Sequence, residues 1–200
     1  MRPKHSNDRA LRIIAAAREE FAGRGFDGAR VDRIARKAGV NKQLLFYYYH
    51  SKRGLFQAVL SEGARELEEA LTAVAASANR GEPPLERLRA TLDAQFDFLA
   101  RNPGLVTLLT QAGRSEVRPF APAINRLVVL LAEGQGLGDV RDDVDPHLAA
   151  AQALVLMLAY LSLESLIAAS AAPLGIDASA LAQRWREAAI RLVLEGVGAR

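Results

Sequence analysis

Hydrophobic residues recur with the helical period over most of the chain. The clearest stripe has apolar residues three or four positions apart and charged residues on the opposite face; it comprises Leu85, Leu88, Leu92, Phe96 and Leu99. A similar stripe begins at Phe56 and another surrounds Trp185. No segment alternates between apolar and polar residues for long enough to predict a strand. The pattern therefore predicts an all-α fold.

Clusters of glycine and proline separate these stripes and mark the ends of the predicted helices. They divide the chain into about nine helices, near residues 8–23, 30–37, 41–48, 52–78, 84–101, 103–113, 120–133, 146–171 and 179–196. The first three helices are short. The fourth would be close to 40 Å long, at about 1.5 Å for each of about 26 residues.

The spacing of Ala35, Gly39 and Leu45 is typical of a helix-turn-helix. The small alanine lets two helices cross closely, and the glycine permits a tight turn between them. Leu45 would then anchor the second helix, and Asn41 is placed to cap its N-terminus. Residues 31–56 therefore predict a DNA-binding motif whose second helix enters the major groove.

The predicted second helix carries side chains suited to DNA. Tyrosine hydroxyls donate to phosphate oxygens, and Lys42 and Lys52 add positive charge. Gln43 can bond an adenine edge, and Leu44 can contact a thymine methyl group. Ser51 could cap the following helix and direct its N–H groups at a phosphate. The alternative is an aromatic core cluster flanked by solvated lysines, which does not explain why basic residues flank the aromatic ones.

The distribution of charge supports a polyanion-binding head. The net charge is only +3, but residues 1–56 carry 13 Lys/Arg against 5 Asp/Glu, and the rest of the chain carries 13 against 18. All four lysines lie in the first part. A basic end on an acidic body favours a nucleic acid partner for that end; the alternative is chance clustering on a solvated face.

Two segments carry a resemblance to a known family. They read VDRIARKAGV and NKQLLFYYYHSKRGLF, after a first helix that ends EEFAGRGFDG. The chain from about residue 9 to residue 56 resembles the N-terminal domain of the tetracycline-repressor (TetR) family of bacterial regulators. The rest fits that family only in length, helicity and the turn GDVRDDVDP before a long apolar helix.

The sequence departs from the family pattern at four positions. Ala29 stands where a Thr or Ser usually caps the second helix, and Phe46 replaces a Tyr that donates to phosphate. Tyr48 replaces His, and Tyr49 replaces a buried Phe, so its ring is expected to pack inward with its hydroxyl bonded at the edge. Tyr47 therefore becomes the first choice for a phosphate contact.

The resemblance implies a DNA-binding domain over residues 1–56 and a helical ligand-binding and dimerisation domain over residues 57–200. The expected DNA contacts are Arg30, Lys42, Gln43, Leu44, Phe46, Tyr47, Tyr48 and Lys52. Polar residues among apolar ones in helices four to eight are the candidates for ligand binding: Gln95, Thr107, Thr110, Gln111, Asn125, Gln152 and Tyr160. The candidates for the dimer interface, in the last two helices, are Leu161, Trp185 and Leu192.

These features predict a cytoplasmic, ligand-responsive repressor that binds a palindromic double-stranded operator as a homodimer and is released by a small apolar effector. No cofactor, metal or membrane is expected, since there is no cysteine and the apolar run 154–163 is short for a span. The glycines of 134–138 lack a P-loop context, and the aspartates of 139–145 lack EF-hand spacing. A constitutive or architectural DNA binder remains an alternative, and an all-helical enzyme would need a catalytic cluster that the sequence does not display.

Overall fold

The computed structural model describes residues 4–77, 81–171, 173 and 177–199. Within them the chain forms helices from nearly one end to the other, as predicted. The helices are α1 Lys4–Gly28, α2 Val31–Ala38, α3 Lys42–Tyr49, α4 Lys52–Ser77, α5 Pro84–Arg101, α6 Pro103–Gln111, α7 Ala121–Leu137, α8 Pro146–Ala171 and α9 Ala178–Val197. A short 3₁₀ turn, Arg118–Phe120, precedes α7. The all-α prediction is confirmed.

Helix α7 runs further than its glycines predicted. It was expected to stop near residue 133, but it continues to Leu137 and ends at Gly138, which has a φ of 79°. Gly134 is buried inside the helix, and a Cβ there would lie 2.5 Å from the Val140 side chain. This glycine therefore permits close packing and does not break the helix.

One compact unit comprises the chain up to Glu66 together with Pro103–Pro119. Its core contains Phe21 and Phe56, whose rings meet edge to face at 5.1 Å. Helix α6 packs on α1, where a Cβ on Gly104 would lie 3.1 Å from Ala22. The unit thus contains the predicted helix-turn-helix and also a segment some forty residues beyond it.

The second compact unit comprises Leu67–Asn102 and Phe120–Arg200. Its core lies among α5, α7, α8 and α9 and includes Phe96, Tyr160 and the half-buried Trp185. The Tyr160 and Trp185 rings are stacked 4.2 Å apart. Helix α4 is continuous through both units, its first part in one and its last part in the other.

Helix α8 is long and apolar enough to cross a membrane by length and composition. Within Pro146–Ser170 the most apolar window of 18 residues has a mean hydropathy of 1.9, and only 17% of that window is buried. The sequence predicts that the apolar run 154–163 is too short to span a membrane. That prediction is wrong for α8 as a whole, because Gln152 and Glu164 do not offset its many apolar residues. An apolar face this exposed is typical of an interaction surface.

His50 ends α3 in a strained turn. It has a φ of 64° and a ψ of −39°, and the Ser51 N–H donates to the Tyr49 carbonyl at 2.7 Å. This three-residue loop is close to the rare γ-turn, in which side chains other than glycine are disfavoured. His50 is exposed, so its side chain gains little from packing.

We predict that His50→Gly stabilises the chain by about 0.5–1 kcal/mol, because glycine relieves the strain and loses part of that gain to its freer unfolded state. Urea unfolding would measure it. The control is Gln57→Gly, at an exposed position inside α4, which should cost about 1 kcal/mol. Equal losses in both variants would show that the turn is not strained.

Candidate DNA-binding surface and effector cavity

The turn between α2 and α3 has the geometry that the sequence predicted. Gly39 ends α2 with a φ of 67°, in the left-handed region. The Leu44 N–H donates to the Asn41 side chain at 2.7 Å, which confirms Asn41 as the N-cap of α3. Leu45 is fully buried and Ala35 nearly so, as residues between two packed helices would be.

Burial divides α3 into an inner and an outer side. Lys42 and Gln43 are exposed, and Tyr47 is 76% exposed, the largest exposed aromatic surface among the described residues. Leu44, Phe46 and Tyr48 are half-buried. Of the three consecutive tyrosines, the one that faces solvent is therefore Tyr47, the first choice for a phosphate contact.

Lys42 is held by a carboxylate across the motif. Its ammonium lies 3.0 Å from the Asp32 carboxylate in the first turn of α2, and both side chains are more than half exposed. An exposed pair of this kind contributes little to stability. The pair orients Lys42 on the outer side, where a phosphate could compete with Asp32 for the ammonium.

Tyr49 packs inward, as its replacement of a buried Phe predicted. The ring is half-buried, and the hydroxyl donates to the Ala10 carbonyl on α1 at 3.3 Å. Burial raises the pKa of the Tyr49 phenol, with smaller contributions from Tyr48 and Glu62. Tyr49 therefore belongs to the support of α3, and Tyr47 to its outer face.

The start of α4 is fixed by Ser51 and Lys52. The Gly54 N–H donates to the Ser51 hydroxyl at 2.9 Å, which confirms the predicted cap. The half-buried Lys52 donates to the Asp27 carbonyl at 3.0 Å, and its ammonium lies 4.8 Å from the Phe26 ring centroid. Lys52 thus ties α4 to the end of α1, a structural contact that the sequence did not reveal.

Helix α2 begins without a side-chain cap. The structure places its N-cap at Arg30 and not at Ala29, which is buried, so the position expected for the missing cap was wrong by one residue. Glu20 on α1 compensates. Its carboxylate accepts the Arg30 N–H at 3.0 Å and the Arg33 side chain at 2.6 Å.

Glu20 is a residue that the sequence reasoning missed. The bond from Arg33 is the main cause that holds the pKa of the Glu20 carboxyl below its ordinary value. The only signal in the sequence is the pair of glutamates at the end of the first helix, and spacing alone does not distinguish Glu20 from the exposed Glu19. Arg30 itself is exposed, so its side chain is available to DNA.

The second unit contains a cavity of about 480 Å³ between the last part of α4, α5 and α7. Most of its wall is apolar, and its polar side chains are Arg87, Thr91, Asn125 and Arg126. The volume and the mixed wall are typical of a small-molecule site. Among the described residues, no group of three His, Asp or Glu side chains could hold a metal ion.

The structure does not gather the predicted ligand-binding residues into one site. Asn125 lines the cavity, whereas Thr107, Thr110 and Gln111 belong to the other unit. The remaining three lie elsewhere in the second unit: Gln95 is buried with its amide 3.4 Å from the Ala123 carbonyl, Tyr160 is in the core, and Gln152 is on the exposed face of α8.

The predicted dimer residues also separate. Leu192 is 62% exposed on α9, in a groove of about 700 Å³ that the exposed Leu148 and Val155 of α8 also line. Trp185 and Leu161 are half-buried and pack against the core of their own subunit. Only Leu192 of the three therefore lies on the open apolar face.

The fold and the outer face of α3 define a helix-turn-helix DNA-binding protein. Residues 13–59 match the family described as bacterial regulatory proteins, tetR family. The HTH-type transcriptional repressor SCO4008 from Streptomyces coelicolor is 36% identical over 140 residues, which cover 66% of this chain and 68% of that protein. The chain belongs to the tetR family and is a DNA-binding transcription regulator.

Other relatives match over different lengths. The HTH-type transcriptional activator FasR from Mycolicibacterium smegmatis is 34% identical over 93 residues, 46% of this chain, and the match spans 41% of FasR. The structure of SCO4942 from Streptomyces coelicolor has a TM-score of 0.71 and 30% identity, covering 94% of this chain and 97% of that one. FadR from Bacillus subtilis, solved with stearoyl-CoA, has a TM-score of 0.74 at 20% identity, which shows a shared fold; 93% and 98% of the two chains are covered.

We predict that Glu20→Gln lowers the free energy of unfolding by about 1 kcal/mol at pH 7, because it weakens two charge-assisted hydrogen bonds. A lowered pKa in the folded state means that the contribution of Glu20 is complete above its unfolded pKa, about 4.3, and is lost as the pH falls through the folded value. The wild type should therefore lose more stability than the variant between pH 6 and pH 3.

Urea titrations of both proteins across that range would measure the difference. Glu19→Gln is the matched control, since Glu19 is the exposed neighbour on the same helix and pairs only with Lys37 in the described contacts. Equal effects of the two substitutions at pH 7 would contradict the role assigned to Glu20.

Proposed function

We propose that the chain is a cytoplasmic homodimeric repressor, and not an enzyme, that binds a palindromic operator and is released by a small effector. The observation that carries this proposal is the outer face of α3, where Lys42, Gln43 and Tyr47 are exposed on a helix anchored by Leu45. In this motif such a face enters the major groove.

Roles on this face follow from the chemistry of the side chains. Gln43 can bond the N6 and N7 atoms of an adenine, which specifies sequence. The Tyr47 hydroxyl and the Lys42 ammonium suit phosphate oxygens, which position the protein without reading the sequence. Arg30, at the start of α2, would add a further phosphate contact, and Leu44, Phe46, Tyr48 and Lys52 would support or border the contact surface.

The proposed dimer joins the exposed apolar faces of α8 and α9 from two copies. Leu148, Val155 and Leu192 are each more than half exposed and line one groove. Proteins rarely leave such a surface in water, because covering it stabilises the assembly. A second copy is the partner that also gives a regulator two recognition helices, as a palindrome requires.

The proposed effector binds in the cavity of α4, α5 and α7. Support comes from its size and apolar wall, and from the neighbour FadR, which was solved with stearoyl-CoA. Helix α4 begins at Lys52, just after α3, and its last part contributes Val74 and Ala75 to the cavity wall. A ligand that prefers the DNA-incompetent state by about 1–3 kcal/mol would release the operator about 5- to 150-fold.

Selection of tightly bound sequences from random DNA tests the proposal. We expect an inverted repeat, its half-sites spaced by roughly 34–36 Å or a multiple, with affinity falling steeply as salt rises. Placed at a promoter that drives a reporter, the recovered sequence should lower expression. Uniform binding without an enriched palindrome would instead favour an architectural DNA binder.

Gln43→Ala should change the preferred base at one position of each half-site, at a cost of roughly 1–3 kcal/mol for the original base. Tyr47→Phe is the matched variant on the same face and should weaken binding to all sequences by about 1 kcal/mol. Competition assays on single-base operator variants would separate the two effects. If Gln43→Ala weakened binding to all sequences equally, Gln43 would not be a residue that recognises a base.

Leu192→Asp should dissociate the dimer and abolish operator binding, because it places a charge in an apolar interface. Light scattering would give the mass, and circular dichroism would establish that the monomer is folded. Leu137→Asp is the control, since Leu137 is 67% exposed on α7 and does not line the groove of α8 and α9. A monomeric wild type at micromolar concentration would refute the dimer.

A further inference from the structure

We propose that the cavity of α4, α5 and α7 selects an apolar molecule that carries an acid group, with Arg87 and Arg126 holding the anion. This inference rests on the proposed function, because it names the chemical class of the effector. The effector would then need an acid group as well as an apolar body, and Arg87 and Arg126 would have a role that the sequence did not assign.

The apolar part of the wall would hold the body of the ligand. It comes from all three helices and consists of Val74, Ala75, Ala90, Pro122, Val129 and Leu130. Val129 is 63% exposed, although it lies in this wall. Covering that side chain with the body of a ligand would be favourable, because it removes apolar surface from water.

The ionisable side chains in the wall are all cationic. Arg87 comes from α5 and Arg126 from α7, and no carboxylate lines the cavity among the described residues. Their acidic partners, Glu133 and Glu68, lie outside the wall and are more exposed than the arginines. An amine ligand would therefore meet two guanidinium groups and no carboxylate in the wall itself, although each guanidinium is paired with one of these glutamates.

The arginines retain unused hydrogen-bonding capacity. Arg126 donates through one terminal nitrogen to Glu68 and Thr72, while its Nε is buried and has no partner within the described part of the chain. Arg87 donates through one terminal nitrogen to Glu133. A guanidinium carries five N–H donors, and a carboxylate or phosphate accepts two of them at once. Glu68 Oε2 is likewise buried without a partner, so the buried Nε belongs to the ion pair of Arg126 and Glu68. The second terminal nitrogen of each guanidinium has no hydrogen-bond partner among the described residues, and an acid would use it, whereas a neutral apolar ligand would not.

Calorimetric titration of the full chain with four probes that each have ten carbons in an unbranched chain tests this class: decanoate, decyl phosphate, decanol and decylamine. We expect an acid to bind at least about tenfold more tightly than decanol, and decylamine to bind most weakly. A preference between the first two probes would distinguish a carboxylate from a phosphate as the head group.

The variants Arg87→Gln and Arg126→Gln should each reduce the preference for the acid over decanol to about threefold or less. Arg89→Gln is the matched control, because Arg89 lies exposed on α5, the helix of Arg87, and does not line the cavity. Should Arg126→Gln leave Glu68 unpaired and unfold the chain, the Glu68→Gln/Arg126→Gln double variant keeps the charge balanced. Ala90→Trp fills the cavity and should abolish binding of every probe.

Each outcome decides a different point. Equal affinity for decanoate, decyl phosphate and decanol, lost in Ala90→Trp, would overturn the acid class and leave the effector cavity in place. Acid binding that persists unchanged in both arginine variants would overturn the assigned residues. Absence of binding by all four probes would overturn this inference, and operator release by other molecules would then test the effector proposal separately.

Discussion

The burial of Leu45 is the constraint on which the DNA-binding face depends. In a helix of only eight residues, successive side chains point about 100° apart, so fixing one residue inward fixes the direction of all the others. With Leu45 against α2, Gln43 and Tyr47, four positions apart, share the outer side. Asn41 and Gly39 only determine where the helix begins; Leu45 determines which side chains DNA can meet.

The helix-turn-helix could be predicted from the sequence because its determinants are local. A cap acts within three residues and a left-handed glycine within one turn, so both can be read from spacing. In the sequence, Gly134 looks like Gly39, a glycine that ends a helix. In the structure it lies inside α7, where the missing side chain makes room for Val140 beyond the end of the helix. Glu20 likewise acts on α2 from α1. Contacts between elements decide such cases, and periodicity does not contain them.

The segment Pro103–Pro119 belongs with the DNA-binding helices in packing, although it follows them by a whole helix in the chain. Close approach explains this arrangement. A Cβ on Gly63 would lie 2.7 Å from Leu105, so α4 and α6 touch where the chain has no side chain. The buried Glu116 accepts the Gly113 N–H at 2.8 Å and lies 3.7 Å from Arg53. The charge composition of the chain changes near residue 56, but these contacts determine which segments pack together in the compact unit.

The residues of the open apolar face could not be predicted from the sequence, because two apolar faces on one helix have the same composition. On α9, Trp185 stacks on Tyr160 within the subunit, and Leu192 is left exposed. Helix α8 is apolar on nearly every side, whereas a helix packed against one core needs only one apolar stripe. A helix apolar all round requires a second apolar neighbour. With its own core on one side and only 17% of its most apolar window buried, α8 keeps an apolar surface that the proposed dimer would cover.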